Sequence, residues 1–309
     1  MALPKYAYFK GKIVPYESAK IGVLTHALNY GTAAFGGLRG YWNSDNEQLY
    51  VFRPVDHYKR LLNSAKMLHM EFEYSPESLT EITLDLLRME AHREDVYIRP
   101  LVYKADEIIG VRLHDLHDAI SIVSFPFGLY VKRDTDAHLT VSSWRRIDDN
   151  VIPARGKISG AYANSALIKT DANLNGFDDA VVLNQDGHVS EASAMNIFLV
   201  REGTVITPPV TDNVLEGITR RSAIALLEQD LNIPVIERQV DRTELYICDE
   251  VFLSGTAAQI SAVTKIDHIE VGDGVMGPIT SNLRNIFFDV VRGQTDSHKD
   301  WLTPVFPKK

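Results

Sequence analysis

Cysteine is nearly missing from this 309-residue sequence, in which Cys248 is the only one. One thiol cannot form an internal disulfide, so nothing points to the oxidising compartments in which disulfide-bonded proteins fold. Basic residues are also in deficit, because 32 Lys and Arg stand against 41 Asp and Glu and give a net charge of −9. This balance argues against a nucleic acid or an anionic membrane surface as a partner, since either would repel the chain overall.

Long apolar runs and the common short catalytic motifs are lacking too. The first twenty residues are polar and contain two prolines, so we predict neither a signal peptide nor a membrane span there. The phosphate-loop, zinc-protease, Cys-x-x-Cys and nucleophile-elbow motifs do not occur. The histidines show no metal-ligand spacing, and His114 and His117 lie in a charged segment where solvation is the simpler interpretation. We therefore expect a cytoplasmic enzyme that binds no metal.

The order of predicted elements indicates two α+β domains. The first part of the chain is predicted to form a hairpin over 6–14, helices over 53–70 and 75–89, and strands over 96–104 and 119–125. The second part is predicted to form helices over 161–175, 217–232 and 278–292, and strands over 139–144, 180–184, 189–200 and 251–254. The composition changes between these parts, so we predict a small domain over 1–125, a linker over 126–137 and a larger domain over 138–309.

Among the lysines, Lys157 has distinctive surroundings. It lies between Gly156 and Gly160 and precedes a predicted helix, so a ligand would meet little steric obstruction there. Near the N-terminal end of a helix a charged ammonium is disfavoured, which favours the neutral, nucleophilic amine. From the residues alone, an ordinary solvated loop lysine is the alternative.

An acid and two glycine-containing segments strengthen the case for chemistry at Lys157. Glu191 lies in a strand of small residues, where burial would require a cationic partner, and an exposed strand position is the alternative. Residues 215–220 enter a helix through Gly217, and 254–258 leave a strand through Gly255, so each can present backbone N–H groups to an anion. A lysine, an acid and two anion sites together fit pyridoxal 5′-phosphate, an aldehyde cofactor that carries a phosphate.

Eight segments carry a family resemblance over nearly the whole chain. They are LTHALNYGTAAFGGLRGY (24–41), YKRLLNSAKML (58–68), VYIRPLVY (96–103), SSWRR (142–146), ARGKISGAYANS (154–165), GHVSEASAMNIF (187–198), LEGITR (215–220) and EVFLSGTAAQI (250–260). In their order and spacing the sequence resembles the branched-chain amino acid aminotransferases, which belong to fold type IV of the pyridoxal-phosphate enzymes. The resemblance implies an α+β, two-domain fold like that of D-amino acid aminotransferase. Its small domain is α/β, and its larger, α/β-barrel-like domain binds the cofactor.

The resemblance also implies the reaction. It indicates a transaminase that interconverts L-leucine, L-isoleucine and L-valine with their 2-oxo acids and uses 2-oxoglutarate and L-glutamate as the other pair. The mechanism is expected to be ping-pong, with Lys157 forming the Schiff base and then moving the proton between Cα and C4′. The small-molecule partners are thus amino acids and 2-oxo acids. The expected assembly is a homodimer, or a higher assembly such as a hexamer, with loops of both subunits at each active site.

The same resemblance assigns residues to the cofactor. Glu191 is expected to face the pyridine nitrogen, and Tyr162 to hydrogen-bond the phenolic oxygen. Arg60 is expected to reach the phosphate from its helix, although an exposed helix arginine is the alternative. The residues expected to offer backbone donors to the phosphate are Ile218, Thr219 and Thr256.

Substrate recognition is implied at positions in both predicted domains. Tyr97 and Arg99 match the pair near the carboxylate subsite, and strand alternation places them on one face. Backbone N–H groups of Thr256 and Ala257 are expected to bind the α-carboxylate. Aromatic walls of the pocket are expected from Tyr30 and Phe35, with a simple core aromatic as the alternative for Phe35.

Two positions depart from the family pattern. Gly36 follows Phe35 where the family usually has an acid, and Met195 occupies another acidic position. The missing side chain and the missing charge predict a broader substrate range, including bulkier side chains or (R)-primary amines. The alternative function is therefore a D-amino acid or (R)-amine transaminase, or an aminodeoxychorismate lyase, of the same fold. The Tyr97 and Arg99 pair favours the branched-chain group.

Overall fold

The computed structural model describes residues 3–128 and 133–307. These residues form two compact units. The first unit contains the described residues up to Gly128, the segment Gly156–Ala161 and the described residues from Asp289 onward. The second contains the described residues from 133 to Arg155 and the segment Tyr162–Phe288.

The first unit is built on an antiparallel sheet. Its strands are β1 (Tyr6–Phe9), β2 (Lys12–Pro15), β3 (Ala33–Phe35), β4 (Leu38–Asn43), β5 (Gln48–Phe52), β6 (Val96–Lys104) and β7 (Asp118–Pro126). Its helices are α1 (His26–Tyr30), α2 (Pro54–Met67) and α3 (Pro76–Glu90). Strand β6 is central, because β7 pairs with it along its whole length, β4 pairs with its first three residues and β3 pairs with its second half.

Local signals account for α3 and for the strand that carries the predicted substrate residues. Ser75 caps α3 by accepting a hydrogen bond from Ser78 N at 3.1 Å, while Ser78 Oγ accepts one from Ser75 N at 3.0 Å. Such a reciprocal cap satisfies two N–H groups that the helix itself leaves without a partner. The predicted strand over 96–104 is observed as β6 with the same bounds. The predicted strand over 96–104 and the predicted start of the helix at residue 75 are both confirmed.

The second unit is built on a mixed sheet. Its strands are β8 (Ala137–Arg145), β9 (Asp179–Leu183), β10 (Val189–Ala192), β11 (Asn196–Arg201), β12 (Thr204–Thr207), β13 (Val235–Glu237), β14 (Glu250–Gly255), β15 (Gln259–Ile266) and β16 (Ile269–Glu270). Its helices are α4 (Tyr162–Leu174), α5 (Ile218–Gln229) and most of α6 (Pro278–Val291). The main sheet order is β10-β9-β8-β15-β14-β11-β12-β13. A buried apolar cluster along these strands forms the core, and it includes Leu139, Val181, Ile197, Leu253 and Val263.

The strand predicted over 189–200 is wrong as a single element, because the chain turns at residues 193–195. Ala192 N donates to Met195 O at 2.8 Å and closes this turn. Strand β10 then pairs with β9, whereas β11 pairs with β14. The turn places Glu191, at the end of β10, close to Asn196, at the start of β11, and their side chains are hydrogen-bonded.

The boundaries of the units differ from the predicted domains. Residues 129–132 of the predicted linker over 126–137 lie outside the described residues. The segment Gly156–Ala161 belongs to the first unit, where an isolated β-bridge joins Ile158 to Ala34. The end of the chain also returns there, because β17 (Leu302–Pro304) pairs antiparallel with β5. Pairing between strands distant in the sequence therefore interrupts the region predicted as one domain over 138–309.

Three further findings concern the single thiol, groups of possible metal ligands and the length of the apolar helices. Cys248 is buried, and burial raises the pKa of its thiol to about 12, so the thiol stays protonated near neutral pH. Within 3–128 and 133–307, no three His, Cys, Asp or Glu side chains form a group that could hold a metal ion. Over the same residues, no helix is both long and apolar enough to cross a bilayer.

Candidate active site

In the first unit, the main chain of Lys157 is held by β3 and α2. Phe35 N donates to Lys157 O at 3.0 Å, and Lys157 N donates to Ser64 Oγ at 3.1 Å. The buried Ser64 hydroxyl donates in turn to Arg60 O, one turn earlier in α2, at 2.9 Å. One helix therefore carries the predicted phosphate-binding arginine and also fixes the backbone of the predicted nucleophile. The sequence reasoning assigned no role to Ser64.

The side chains of Lys157 and Arg99 both approach the aromatic ring of Phe35. Lys157 Nζ is 5.0 Å from the ring centroid, and Arg99 Cζ is 4.5 Å from it. At these distances a cation is attracted to the face of an aromatic ring. Arg99 also donates from Nη2 to the Tyr97 hydroxyl at 3.2 Å. The structure thus brings four predicted residues together, and it leaves Phe35 half-buried, unlike a simple core aromatic.

The two glycines that follow Phe35 make room for side chains of β6. A Cβ on Gly37 would overlap the Tyr97 hydroxyl, and a Cβ on Gly36 would lie 2.6 Å from Pro100 Cγ. No open space is therefore left beside Gly36 itself, and the broader substrate range expected from its missing side chain stays a prediction. The Pro100 ring occupies the space into which a side chain at position 36 would point.

Tyr30 belongs to another cluster of the first unit. Its ring centroid lies 4.7 Å from that of His26, and its hydroxyl accepts a hydrogen bond from Gly110 N at 3.2 Å. The His26 ring is itself fixed by Thr32 Oγ1 at 2.7 Å and by Gly110 O at 2.9 Å. These contacts give Tyr30 a clear role in ordering the segment around Gly110.

In the second unit, Glu191 is a buried carboxylate with both oxygens engaged. Its Oε1 lies 3.0 Å from Arg146 Nη2. Its Oε2 accepts hydrogen bonds from Leu215 N at 3.2 Å and from Asn196 Nδ2 at 3.3 Å. The residue is only 4% exposed, which excludes the alternative of an exposed strand position. Every one of these partners is a donor, and donors stabilise a charged carboxylate.

Sequence reasoning missed Arg146 and Asn196 as partners of Glu191. The signal for Arg146 was present, because a buried acid needs a cation and the SSWRR segment supplies two arginines. The signal for Asn196 was weaker. The predicted unbroken strand over 189–200 concealed the turn that brings this amide to the carboxylate.

The start of α5 carries two predicted phosphate-binding residues, Ile218 and Thr219. Gly217 occupies the N-cap position with φ −67° and ψ 135°, and no side chain caps the helix. The first N–H groups of a helix point outward along its axis and attract anions. The start of α5 thus has no side-chain cap, and phosphate binding by Ile218 and Thr219 stays a prediction.

Thr256 and Ala257 lie in the turn between β14 and β15. Both are half-buried, and the pairing of Gly255 with Gln259 closes the turn. Met195 packs against this turn, because a Cβ built on Gly255 would lie 3.5 Å from Met195 Cγ. Met195 and Ala258 also belong to the same buried apolar cluster. Met195 is thus a core residue that supports the turn, and the effect of its missing charge on the substrate range stays a prediction.

Tyr162, the remaining cofactor residue of the prediction, begins α4 and is half-buried. It belongs to the second unit, whereas Lys157, five residues earlier, belongs to the first. Each unit carries its own part of the predicted set. In the first are Tyr30, Phe35, Arg60, Tyr97, Arg99 and Lys157, and in the second are Tyr162, Glu191, Ile218, Thr219, Thr256 and Ala257.

Comparison with known proteins identifies the family. Residues 39–266, well over half of the chain, match the model of the amino-transferase class IV family. The chain belongs to the class IV aminotransferases. A probable branched-chain-amino-acid aminotransferase of Aquifex aeolicus is similar to it, with 48% identity over 303 residues that cover 98% of this chain and 97% of the relative.

Solved structures share the fold of this class IV aminotransferase. The branched-chain amino acid aminotransferase of Thermobaculum terrenum, in its pyridoxal-phosphate form, gives a TM-score of 0.94 at 39% identity and covers 99% of this chain and 100% of its own. The enzyme of Thermoproteus uzoniensis with norvaline gives 0.93 at 39% identity, with 98% and 100% covered. The predicted fold type IV is confirmed.

Proposed function

We propose that this class IV aminotransferase is a branched-chain-amino-acid transaminase that uses pyridoxal 5′-phosphate. It interconverts L-leucine, L-isoleucine and L-valine with their 2-oxo acids, and 2-oxoglutarate and L-glutamate form the second pair. The names of its relatives support the substrate class. The structural observation that carries the proposal is the buried Glu191 carboxylate, paired with Arg146 and hydrogen-bonded to the segment that enters α5.

The residues present fit the cofactor. A protonated pyridine nitrogen requires an anion, which Glu191 supplies within a set of fixed donors. A phosphate requires N–H donors and a cation, which the uncapped start of α5 and the guanidinium of Arg60 provide. An aldehyde requires a primary amine, which is Lys157. When bound, the cofactor supplies that aldehyde and a ring that withdraws electrons from the substrate Cα.

Lys157 is the residue that moves the proton in this proposal. Its primary amine would hold the aldehyde carbon of the cofactor until the amine of the substrate displaces it, and the freed amine would then carry the proton between the substrate Cα and C4′. Its backbone is fixed through hydrogen bonds to Phe35 and Ser64, so only the side chain needs to move. Glu191 holds the proton on the ring nitrogen, and Arg146 keeps the carboxylate oriented.

Substrate carboxylates are bound by two sets of donors in the proposal. Arg99 and Tyr97 share a hydrogen bond at 3.2 Å, so the guanidinium and the phenol present one rigid surface. Backbone N–H groups of Thr256 and Ala257 bind the α-carboxylate. Packing accounts for Gly36 and Met195, and the Tyr97 and Arg99 pair supports branched-chain substrates over the alternative D-amino acid, (R)-amine or lyase activities.

We also propose that the chain acts in the cytoplasm as a homodimer or a larger assembly. Its single cysteine supports the compartment. Apolar side chains exposed on the first unit support association, and they are Ile21, Val23, Leu24 and Leu28. Light scattering should give at least twice the mass of one chain, and the mass of a single chain would contradict the assembly.

The visible spectrum of the purified protein tests the function. We expect an absorption band of bound cofactor that bleaches when L-leucine is added and returns with 2-oxoglutarate. A band that ignores L-leucine and bleaches with D-alanine or (R)-1-phenylethylamine would overturn the substrate class. No band after incubation with pyridoxal phosphate would overturn the cofactor.

A further inference from the structure

The amide of Asn196 connects two parts of the second unit that the proposed function assigns to opposite ends of the cofactor. Its Nδ2 donates to Glu191 Oε2 at 3.3 Å and to Leu215 O at 2.9 Å. Leu215 N donates back to the same Glu191 oxygen at 3.2 Å. Asn196 is 5% exposed and Glu191 is 4% exposed, so water does not compete strongly for these hydrogen bonds.

The oxygen of the same amide explains the glycine at the start of α5. A Cβ on Gly217 would overlap Asn196 Oδ1. Gly217 has an extended backbone with negative φ, which other residues adopt freely, so the position requires glycine for space alone. A Gly217 side chain could enter only if the amide turned away, and turning would break its hydrogen bonds to Glu191 and Leu215.

The sheet fixes the position of this amide. Asn196 is the first residue of β11 and pairs with Ser254 on β14. The turn at residues 193–195, closed by the hydrogen bond from Ala192 N to Met195 O, brings the Asn196 side chain to Glu191. Helix α5 packs against β14. The amide is thus held between two strands and the start of the helix.

We propose that Asn196 is a positioning residue, whose amide sets the Glu191 carboxylate at a fixed spacing from the N-terminus of α5. This inference rests on the proposed function, because that function takes these two groups as the sites for the ring nitrogen and the phosphate. A site whose two ends are already at the right spacing loses less free energy to ordering when the ligand binds. Displacing the amide should therefore weaken cofactor binding and alter the effect of Glu191 on the ring.

A double-mutant cycle tests the inference through the affinity of the apo-protein for pyridoxal phosphate. Asn196→Ala and Gly217→Ala should each weaken binding about 10-fold, the loss typical of a buried hydrogen bond to a charged group. The double variant should bind no more weakly than Asn196→Ala alone, because removing the amide removes the overlap and leaves the Cβ at position 217 only a tight contact with Arg220 Cβ, at 3.2 Å. Coupled residues show this failure of additivity, whereas independent residues do not.

Two matched substitutions control for the loss of an asparagine side chain and for the replacement of a glycine by alanine. Asn175→Ala removes an exposed amide that donates to Asp171 O, and Gly128→Ala adds a Cβ that meets no atom within 4 Å. Neither should change the affinity. In addition, the pH midpoint of the visible band should move in Asn196→Ala and Gly217→Ala but not in the controls. A merely structural defect would lower the unfolding temperature and leave that midpoint in place.

Additive losses, with the double variant about 100-fold weaker than wild type, would overturn the inference, as would wild-type affinity in both single variants. If Gly217→Ala does not fold, Asn196→Asp gives a second test. This variant keeps the size of the side chain but turns an oxygen towards Glu191, so it should bind the cofactor more weakly than Asn196→Ala, and wild-type binding would overturn the inference. Absence of binding by the wild-type apo-protein would instead refute the proposed function.

Discussion

Replacement of Lys157 by alanine is expected to lower multiple-turnover transamination by about four orders of magnitude or more. The variant loses the primary amine whose nitrogen lies 5.0 Å from the Phe35 ring centroid. The proposed mechanism requires this one group as nucleophile, base and acid. The fold should survive, because the hydrogen bonds of Lys157 with Phe35 and Ser64 involve only its main chain.

Turnover of L-leucine with 2-oxoglutarate measures the loss, and mass spectrometry after borohydride reduction locates the amine. In the wild type, the peptide containing Lys157 should retain the mass of the cofactor, and in the variant no peptide should. Lys66→Ala, an exposed substitution in the last turn of α2, is the matched control and should turn over normally. Partial recovery of the Lys157→Ala variant by a small added amine would show that its site is intact. Near-native turnover in this variant without such an amine would contradict the mechanism.

The elements with strong local signals were predictable from the sequence, and those shaped by distant contacts were not. Strand β6 is a continuous run of β-forming residues, and α3 begins with its own cap. Strands β3 and β4 were missed because glycines interrupt the segment, which weakens its β pattern. Gly36 and Gly37 leave room for two side chains of β6, the ring of Pro100 and the phenol of Tyr97. No local pattern contains that information.

The candidate site shows the same division. Lys157 and Glu191 could be singled out because each has unusual neighbours in the sequence, a pair of glycines for one and a strand of small residues for the other. Their supporting residues come from remote parts of the chain, as with Ser64, which lies 93 positions from Lys157. The turn at 193–195 contains no glycine or proline, so the approach of Asn196 to Glu191 had no recognisable signal.

Glu191→Gln is expected to lower kcat by about 100-fold to 1,000-fold, because a neutral amide cannot balance the charge of a protonated ring nitrogen. The substitution should also destabilise the protein by about 3 kcal/mol, since it leaves Arg146, whose side chain is 11% exposed, without its counter-charge. Neither orientation of the new amide suits its surroundings. If the amide nitrogen takes the Oε1 position, this donor faces the guanidinium of Arg146, which is also a donor. If it takes the Oε2 position, it faces the donating N–H groups of Leu215 and Asn196.

The visible band reports the rate of each half-reaction. Measuring these rates at a temperature where the variant remains folded separates the kinetic loss from the loss of stability. Glu90→Gln is the matched control, because Glu90 is also a buried carboxylate and accepts hydrogen bonds from Lys5 N at 2.8 Å and Tyr6 N at 2.7 Å. Its amide oxygen can still accept both bonds, so the folded control should keep the wild-type kcat. A Glu191→Gln variant with wild-type rates in both half-reactions would remove Glu191 from the chemistry and leave it a structural partner of Arg146. A slow variant beside a normal control would assign the loss to the charge at the ring nitrogen.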